Sequence, residues 1–271
     1  MKQLTEYITD NISESILSST HTGKAGIDEE LKKYGLKPAN ATINADGTID
    51  YDGDLSIIDY GLTKLPFKFR KVNGKFDISY NNLTSLDGCP EKVNDHFCCE
   101  HNRLTSLKGG PKQVGGNFYC YKNELTTLEG APKTINGNFY CAENKLSTLK
   151  GGPKQVSGDF YCNKNELTTL EGAPKYAGHN FNCSQNKLTN LDHCPQIIKG
   201  AFNCDNNCLT SLKGGPVQVV RAYNCSYNNL TSLEGLPKRL NWVLFCYDNP
   251  GRFTKEDVLK VCNMDRSKIY L

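Results

Sequence analysis

The chain has 271 residues, with 32 Lys/Arg against 29 Asp/Glu and a net charge of +3. That balance falls far short of the charge density of a dedicated nucleic-acid binder. No apolar run of 18 residues occurs, which excludes a membrane-spanning helix.

The charge is divided: residues 1–54 carry 5 Lys/Arg and 10 Asp/Glu, the remainder 27 and 19. In the acidic part Leu4, Ile8, Ile12 and Ile16 recur every four residues beside Tyr7 and Leu17, which predicts an amphipathic helix. A break over residues 18–23 precedes a second short helix from about Ile27 to Tyr34. Residues 1–40 are expected to form a helical N-terminal cap. Residues 41–54 read as a lead-in hairpin, with Thr42-Ile43 and Thr48-Ile49 flanking the turn Asp46-Gly47.

From residue 55 to 249 the chain repeats. Phe97, Phe118, Phe139, Phe160, Phe181 and Phe202 stand 21 residues apart, opening the unit Phe-x-Cys-x-x-Asn-x-Leu-x-x-Leu-x-Gly-x-Pro, with His193 in the Gly position of the Phe181 unit. One Cys per unit keeps the period from Cys99 to Cys246, one Asn from Asn81 to Asn249, and one Pro from Pro90 to Pro237. A unit this small cannot bury its own apolar face, so the units must stack. Phe and Cys alternate and point to one side of a short strand, and strands of successive turns pair in parallel about 4.8 Å apart. Asn suits the bend that follows and can satisfy backbone groups of the neighbouring turn. Gly-x-Pro enforces an extended or turning return path. Ten turns make a rod or arc of roughly 45–50 Å. A 42-residue super-repeat is also visible, since Lys108-Gly109-Gly110-Pro111-Lys112-Gln113-Val114 returns as Lys150-Gly151-Gly152-Pro153-Lys154-Gln155-Val156. Residues 250–271 are expected to close the array, with Thr254-Lys255-Glu256-Asp257 as a capped helix start.

Phe-x-Cys-x-x-Asn-x-Leu has the spacing of the leucine-rich repeat core, Leu-x-Leu-x-x-Asn-x-Leu. Over residues 55–249 the chain resembles the short-period leucine-rich repeat proteins of bacteria, in particular those encoded by tailed phages and gut bacteria. The resemblance implies an α+β repeat solenoid with a parallel strand ladder, whose outward strand residues line a concave face. Some secreted effectors with similar repeats append a ubiquitin-ligase domain with a nucleophilic cysteine. Only about 22 residues follow the array, and Cys262 has no visible His or Asp partner.

Other chemistry is sparse. Of 13 cysteines, eight keep the period, too far apart across parallel rungs for the β-carbon distance a disulfide prefers. They read as reduced core residues and point to a reducing cytoplasm. Met1-Lys2-Gln3-Leu4 lacks the apolar core of a signal peptide. His21-Thr22-Gly23-Lys24 lacks the glycine spacing of a phosphate loop, and Asp50-Tyr51-Asp52-Gly53-Asp54 misplaces the glycine and glutamate of a calcium loop. His96, Cys98 and Glu100, with His101 adjacent, could share a strand face as metal ligands, but read as surface variation of one repeat. No catalytic constellation stands apart from the columns, so no enzyme activity, cofactor or metal is expected.

The informative positions flank Phe and Cys. Tyr119, Tyr121, Tyr140 and Tyr161 make an aromatic patch that passes into an amide patch of Asn163, Asn182, Asn203 and Asn224. Tyr supplies rigid amphipathic contact area and Asn adaptable hydrogen bonding. The expected function is a non-enzymatic protein-binding scaffold, phage- or mobile-element-encoded, engaging a host or virion protein through this face. Two alternatives are an internal head component of a virion, with residues 1–8 as a packaging segment, and a carbohydrate-binding module. Neither nucleic acid nor membrane is an expected partner.

Overall fold

The structure is a computed structural model and describes residues 24–271. The helix expected over Leu4–Leu17 lies outside the described residues. The remainder is a parallel-strand solenoid, and its turns follow the 21-residue period.

Two strands per turn build it, where the residue pattern predicts one. The first sheet has eleven strands, beginning at Leu55–Ser56 and ending at Ile269–Tyr270. Its strands are two residues long and pair in register, Phe97 with Phe118 and Phe118 with Phe139. The Phe side chains are fully buried, and neighbouring rings of the column lie 4.9 to 6.1 Å apart. The second sheet uses the residues after each proline, as in Gln113–Val114 and Gln155–Val156. Proline has no N–H to donate, but it precedes the strand and so costs the ladder nothing. Val and Ile of this strand enter the core while the residue before them faces out. The second sheet comes in two five-stranded pieces, with the break between Gln113–Val114 and Thr134–Ile135.

The asparagine column holds the turns together. Asn144 Oδ1 accepts from the Leu125 N–H of the preceding turn at 2.9 Å. Its Nδ2 donates to the carbonyls of Cys120, Cys141 and Ala142 at 3.0 to 3.1 Å. The same four bonds recur at Asn123, Asn165 and Asn207, all buried. Each amide thus closes its own bend and bridges to the turn before it, giving partners to backbone groups of both. Just before each Asn stands a residue of left-handed backbone, such as Lys122 (φ 52°), Glu143 (φ 55°) and Gln185 (φ 52°). That conformation costs a non-glycine residue roughly 1–2 kcal/mol. The amide ladder is what holds it in place. On the return side Gly172 has φ +95°, and a Cβ there would sit 2.3 Å from the Leu149 carbonyl carbon.

All thirteen cysteines are free thiols. Those of the column donate weakly to the carbonyl of the next turn, Cys99 Sγ to Tyr119 O at 3.3 Å and Cys120 Sγ to Tyr140 O at 3.4 Å. Burial pushes the thiols of Cys99, Cys120, Cys162 and Cys204 well above the ordinary range, so they are inert core residues.

Both ends of the sheets are occupied. Ala41–Ile43 pairs antiparallel with Ile49–Tyr51, and the latter runs parallel to Phe69–Val72 at the start of the second sheet. Helix α1, Lys24–Lys33, contributes the buried Leu31, and Tyr34 just beyond it packs edge-on to Tyr60 and Phe67 of the first turn. At the other end helix α2, Lys255–Val261, starts with a capping box in which Thr254 and Asp257 exchange side chain-to-backbone bonds. The chain then adds Ile269–Tyr270 to the first sheet and bridges Asn263 to Arg239 beside the second. The C-terminal segment therefore acts as an eleventh rung and forms the short last strand of the first sheet.

Surface charge follows the super-repeat. Glu124, Lys145, Glu166 and Lys187 occupy one column in successive turns, with ion pairs Lys145–Glu124 at 2.9 Å and Lys187–Glu166 at 3.1 Å. A second column pairs Lys108 with Glu129 at 3.1 Å and Lys150 with Glu171 at 2.9 Å. The sign alternates because each column would otherwise set like charges one strand spacing apart.

Candidate functional site

The outward side of the first sheet carries the residues between Phe and Cys, after Cys, and before Phe. The fold places Tyr119, Tyr140 and Tyr161 on consecutive paired strands, half-buried. Tyr119 and Tyr140 lie face to face, 5.1 Å apart with 2° between their planes, and Tyr161 meets Tyr140 edge-on at 5.0 Å. Asn117 Nδ2 donates to the Tyr119 hydroxyl at 2.7 Å, which fixes the ring. Burial, and after it the Asp159 carboxylate, pushes the Tyr140 phenol up to about 12, so Tyr140 presents a neutral hydroxyl.

Tyr121 projects from the next column, against His101 at 5.6 Å and close to Glu100. Asn182, Asn203 and Asn224 continue the tyrosine column on the following strands. Their side chains have a local duty. Each Oδ1 accepts the N–H two residues on, from Ser184 at 3.0 Å, Asp205 at 3.2 Å and Ser226 at 3.1 Å. The acceptors are therefore spent inside the turn, and the Nδ2 groups remain as a row of donors. Asn163 makes no side-chain hydrogen bond among the described residues and stands apart from that row.

The column before Phe is a second ladder. The Asn138 N–H donates to Asn117 Oδ1 at 2.8 Å, the Asp159 N–H to Asn138 Oδ1 at 2.7 Å, and the Asn180 N–H to Asp159 Oδ1 at 2.9 Å. His96 begins it by accepting the Asn117 N–H on Nδ1 at 2.9 Å. These residues stitch turns together, a role masked in the sequence because His, Asn and Asp share only an acceptor atom.

Glu100 is a further residue with a special environment. Only 9% of it is exposed, and its Oε2 is buried without a hydrogen-bond partner. Burial, reinforced by the neighbouring Asp77, raises its carboxyl to about 7. Asp77 is itself satisfied by the Ser79 N–H at 3.1 Å, the Ser79 hydroxyl at 2.6 Å and Lys75 Nζ at 2.7 Å. Burial also raises the Cys98 thiol, which makes it a poor metal ligand. Among the described residues no three His, Cys, Asp or Glu side chains are placed to hold a metal. His96, the first of the four weighed as ligands, serves the backbone ladder instead.

No helix among the described residues is long and apolar enough to cross a membrane. No family model matches the chain, and no curated protein sequence matches it. Among solved structures, YopM from Yersinia enterocolitica WA-314 is similar over 90% of this chain, at 17% identity and a TM-score of 0.48. The chain spans 55% of that protein's length, so what it binds is a question for its own residues.

Proposed function

We propose that this chain is a non-enzymatic scaffold that binds a protein partner across the outward face of the first sheet. The observation that carries this reading is the continuous row formed by Tyr119, Tyr140 and Tyr161 and the free amide donors of Asn182, Asn203 and Asn224. Tyrosine edges and hydroxyls give rigid contact area, and a row of N–H donors suits the carbonyl and carboxylate oxygens of a polypeptide. The inert cysteine column supports a reducing compartment, the cytoplasm of a bacterial host. A phage or mobile-element origin, with a host or virion protein as partner, has the sequence resemblance as its support.

The carbohydrate alternative is less favoured. Sugars stack on open ring faces, and here Tyr119 and Tyr140 cover one another. The test is affinity capture from host lysate with the intact chain, followed by cross-link mapping. Cross-links on this row, lost with Tyr119→Ala combined with Tyr140→Ala, are the expected result. A partner captured undiminished by the double variant would sink the assignment.

A further inference from the structure

The second sheet also has an outward face, and its composition changes along the array. The residue after each proline reads Lys112, Lys133, Lys154, Lys175, then Gln196 and Val217. All are exposed, and backbone bonds join successive members, Lys154 N–H to Lys133 O at 2.8 Å and Lys175 N–H to Lys154 O at 3.1 Å. Lys112 is paired with Glu91 at 3.3 Å. Lys133, Lys154 and Lys175 have no ion pair among the described residues.

Three unneutralised lysines one strand spacing apart contrast with the columns from Lys108 to Glu171 and from Glu124 to Lys187, where Lys and Glu alternate and pair. The super-repeat that alternates those columns leaves this one uniform. A uniform column repels itself, and a partner of opposite charge removes the repulsion.

Directly beyond the lysines the same face turns apolar. Ile197 is 48% exposed and Val217 66%, and Tyr176 stands on the strand beside Ile197. Large aliphatic side chains left open to water in adjacent turns are the usual mark of a protein contact. Where lysines and apolar residues meet lies a groove of about 540 Å³, lined among others by Lys154, Lys175, Tyr176 and Ile197.

We propose that this face is a second docking surface, for a partner segment carrying carboxylates followed by apolar side chains. The carboxylates lie on Lys133, Lys154 and Lys175, and the apolar side chains on Tyr176, Ile197 and Val217. Charge complementarity selects an acidic segment, and the aliphatic patch selects a polypeptide over a nucleic acid, which would use the lysines alone. The surface is separate from the tyrosine row and does not depend on it.

The test uses the intact chain and three fluorescent probes read by anisotropy. They are a peptide with a Glu run followed by Leu, Ile and Phe, the same peptide with Lys for Glu, and a 20-nucleotide single-stranded DNA. The acidic–apolar peptide should bind and the basic one should not. Lys133→Glu with Lys175→Glu, and separately Ile197→Ser with Val217→Ser, should each weaken binding at least about tenfold. Tyr119→Ala with Tyr140→Ala should leave it unchanged, so failure here and failure of the first-sheet reading are distinguishable. Circular dichroism confirms that each variant is folded. Zero-length carbodiimide cross-linking should then join the three lysines to the peptide's carboxylates. Three results overturn the proposal: no binding of the acidic–apolar peptide, DNA binding as tight and insensitive to the aliphatic substitutions, or a dimer that these variants dissolve.

Discussion

Asparagine plays two parts here, and the contrast shows what decides a residue's worth. In the interior column Asn144 makes four hydrogen bonds that span two turns, with its amide out of water. On the outward face Asn182 makes one local bond and keeps its donors free. The residue type and 21-residue spacing are the same. Burial and the number of backbone groups that would be orphaned separate a structural rung from a surface available for recognition.

The sharpest way to break that contrast is Asn144→Ala. It strands the Leu125 N–H and takes one of two donors from the carbonyls of Cys120, Cys141 and Ala142, so a loss of about 2–4 kcal/mol is expected in urea unfolding. A loss below about 1 kcal/mol would place the ladder's strength elsewhere. Next comes Glu100, outward by position but buried like the interior. Its folded carboxyl sits near 7, above the ordinary 4.5, so the unfolded chain ionises first. Stability from this group is full below the unfolded value and drains away as pH rises through about 7, by about 2 kcal/mol after allowing for solvent screening. Glu100→Gln should flatten that slope in melts taken from pH 4 to 8, and an unchanged slope would place the carboxyl in water. Asn182→Ala removes one local bond, and about 0.5–1 kcal/mol is expected from the same unfolding measurement. A cost matching that of Asn144→Ala would erase the distinction. The smallest effect belongs to Lys145→Glu, which sets three acids in one column. It should lower the midpoint slightly in low salt and leave it unmoved near 1 M, where screening reaches about 3 Å.

Much of this was legible in the residues. The Phe, Cys and Leu columns name the core, and the Asn spacing predicts the rung that Asn144 makes. The second sheet was hidden because from Lys92–Val93 onwards its strands are two residues long and follow a proline, which argues against a strand in any longer element. The rung at Ile269–Tyr270 was hidden because it lies outside the period and takes its conformation from the sheet it joins. The ladder through His96, Asn117, Asn138 and Asp159 escaped notice because its members share an acceptor atom and not a residue type. Of the tyrosine and asparagine positions, sequence spacing names the strand that carries each. It is silent on the Oδ1 bonds that leave only donors free at Asn182, Asn203 and Asn224.

The alternating Glu and Lys columns also bear on how such an array can change length. Inserting or deleting one 21-residue turn would bring Glu against Glu or Lys against Lys at the junction, in both alternating columns at once. Between Lys108 and Lys187, gaining or losing two turns together leaves neighbours of opposite sign, whereas Glu171 and Asp192 already set two acids in successive turns. Over those turns the surface acts as a parity rule, which favours lengthening or shortening in even steps.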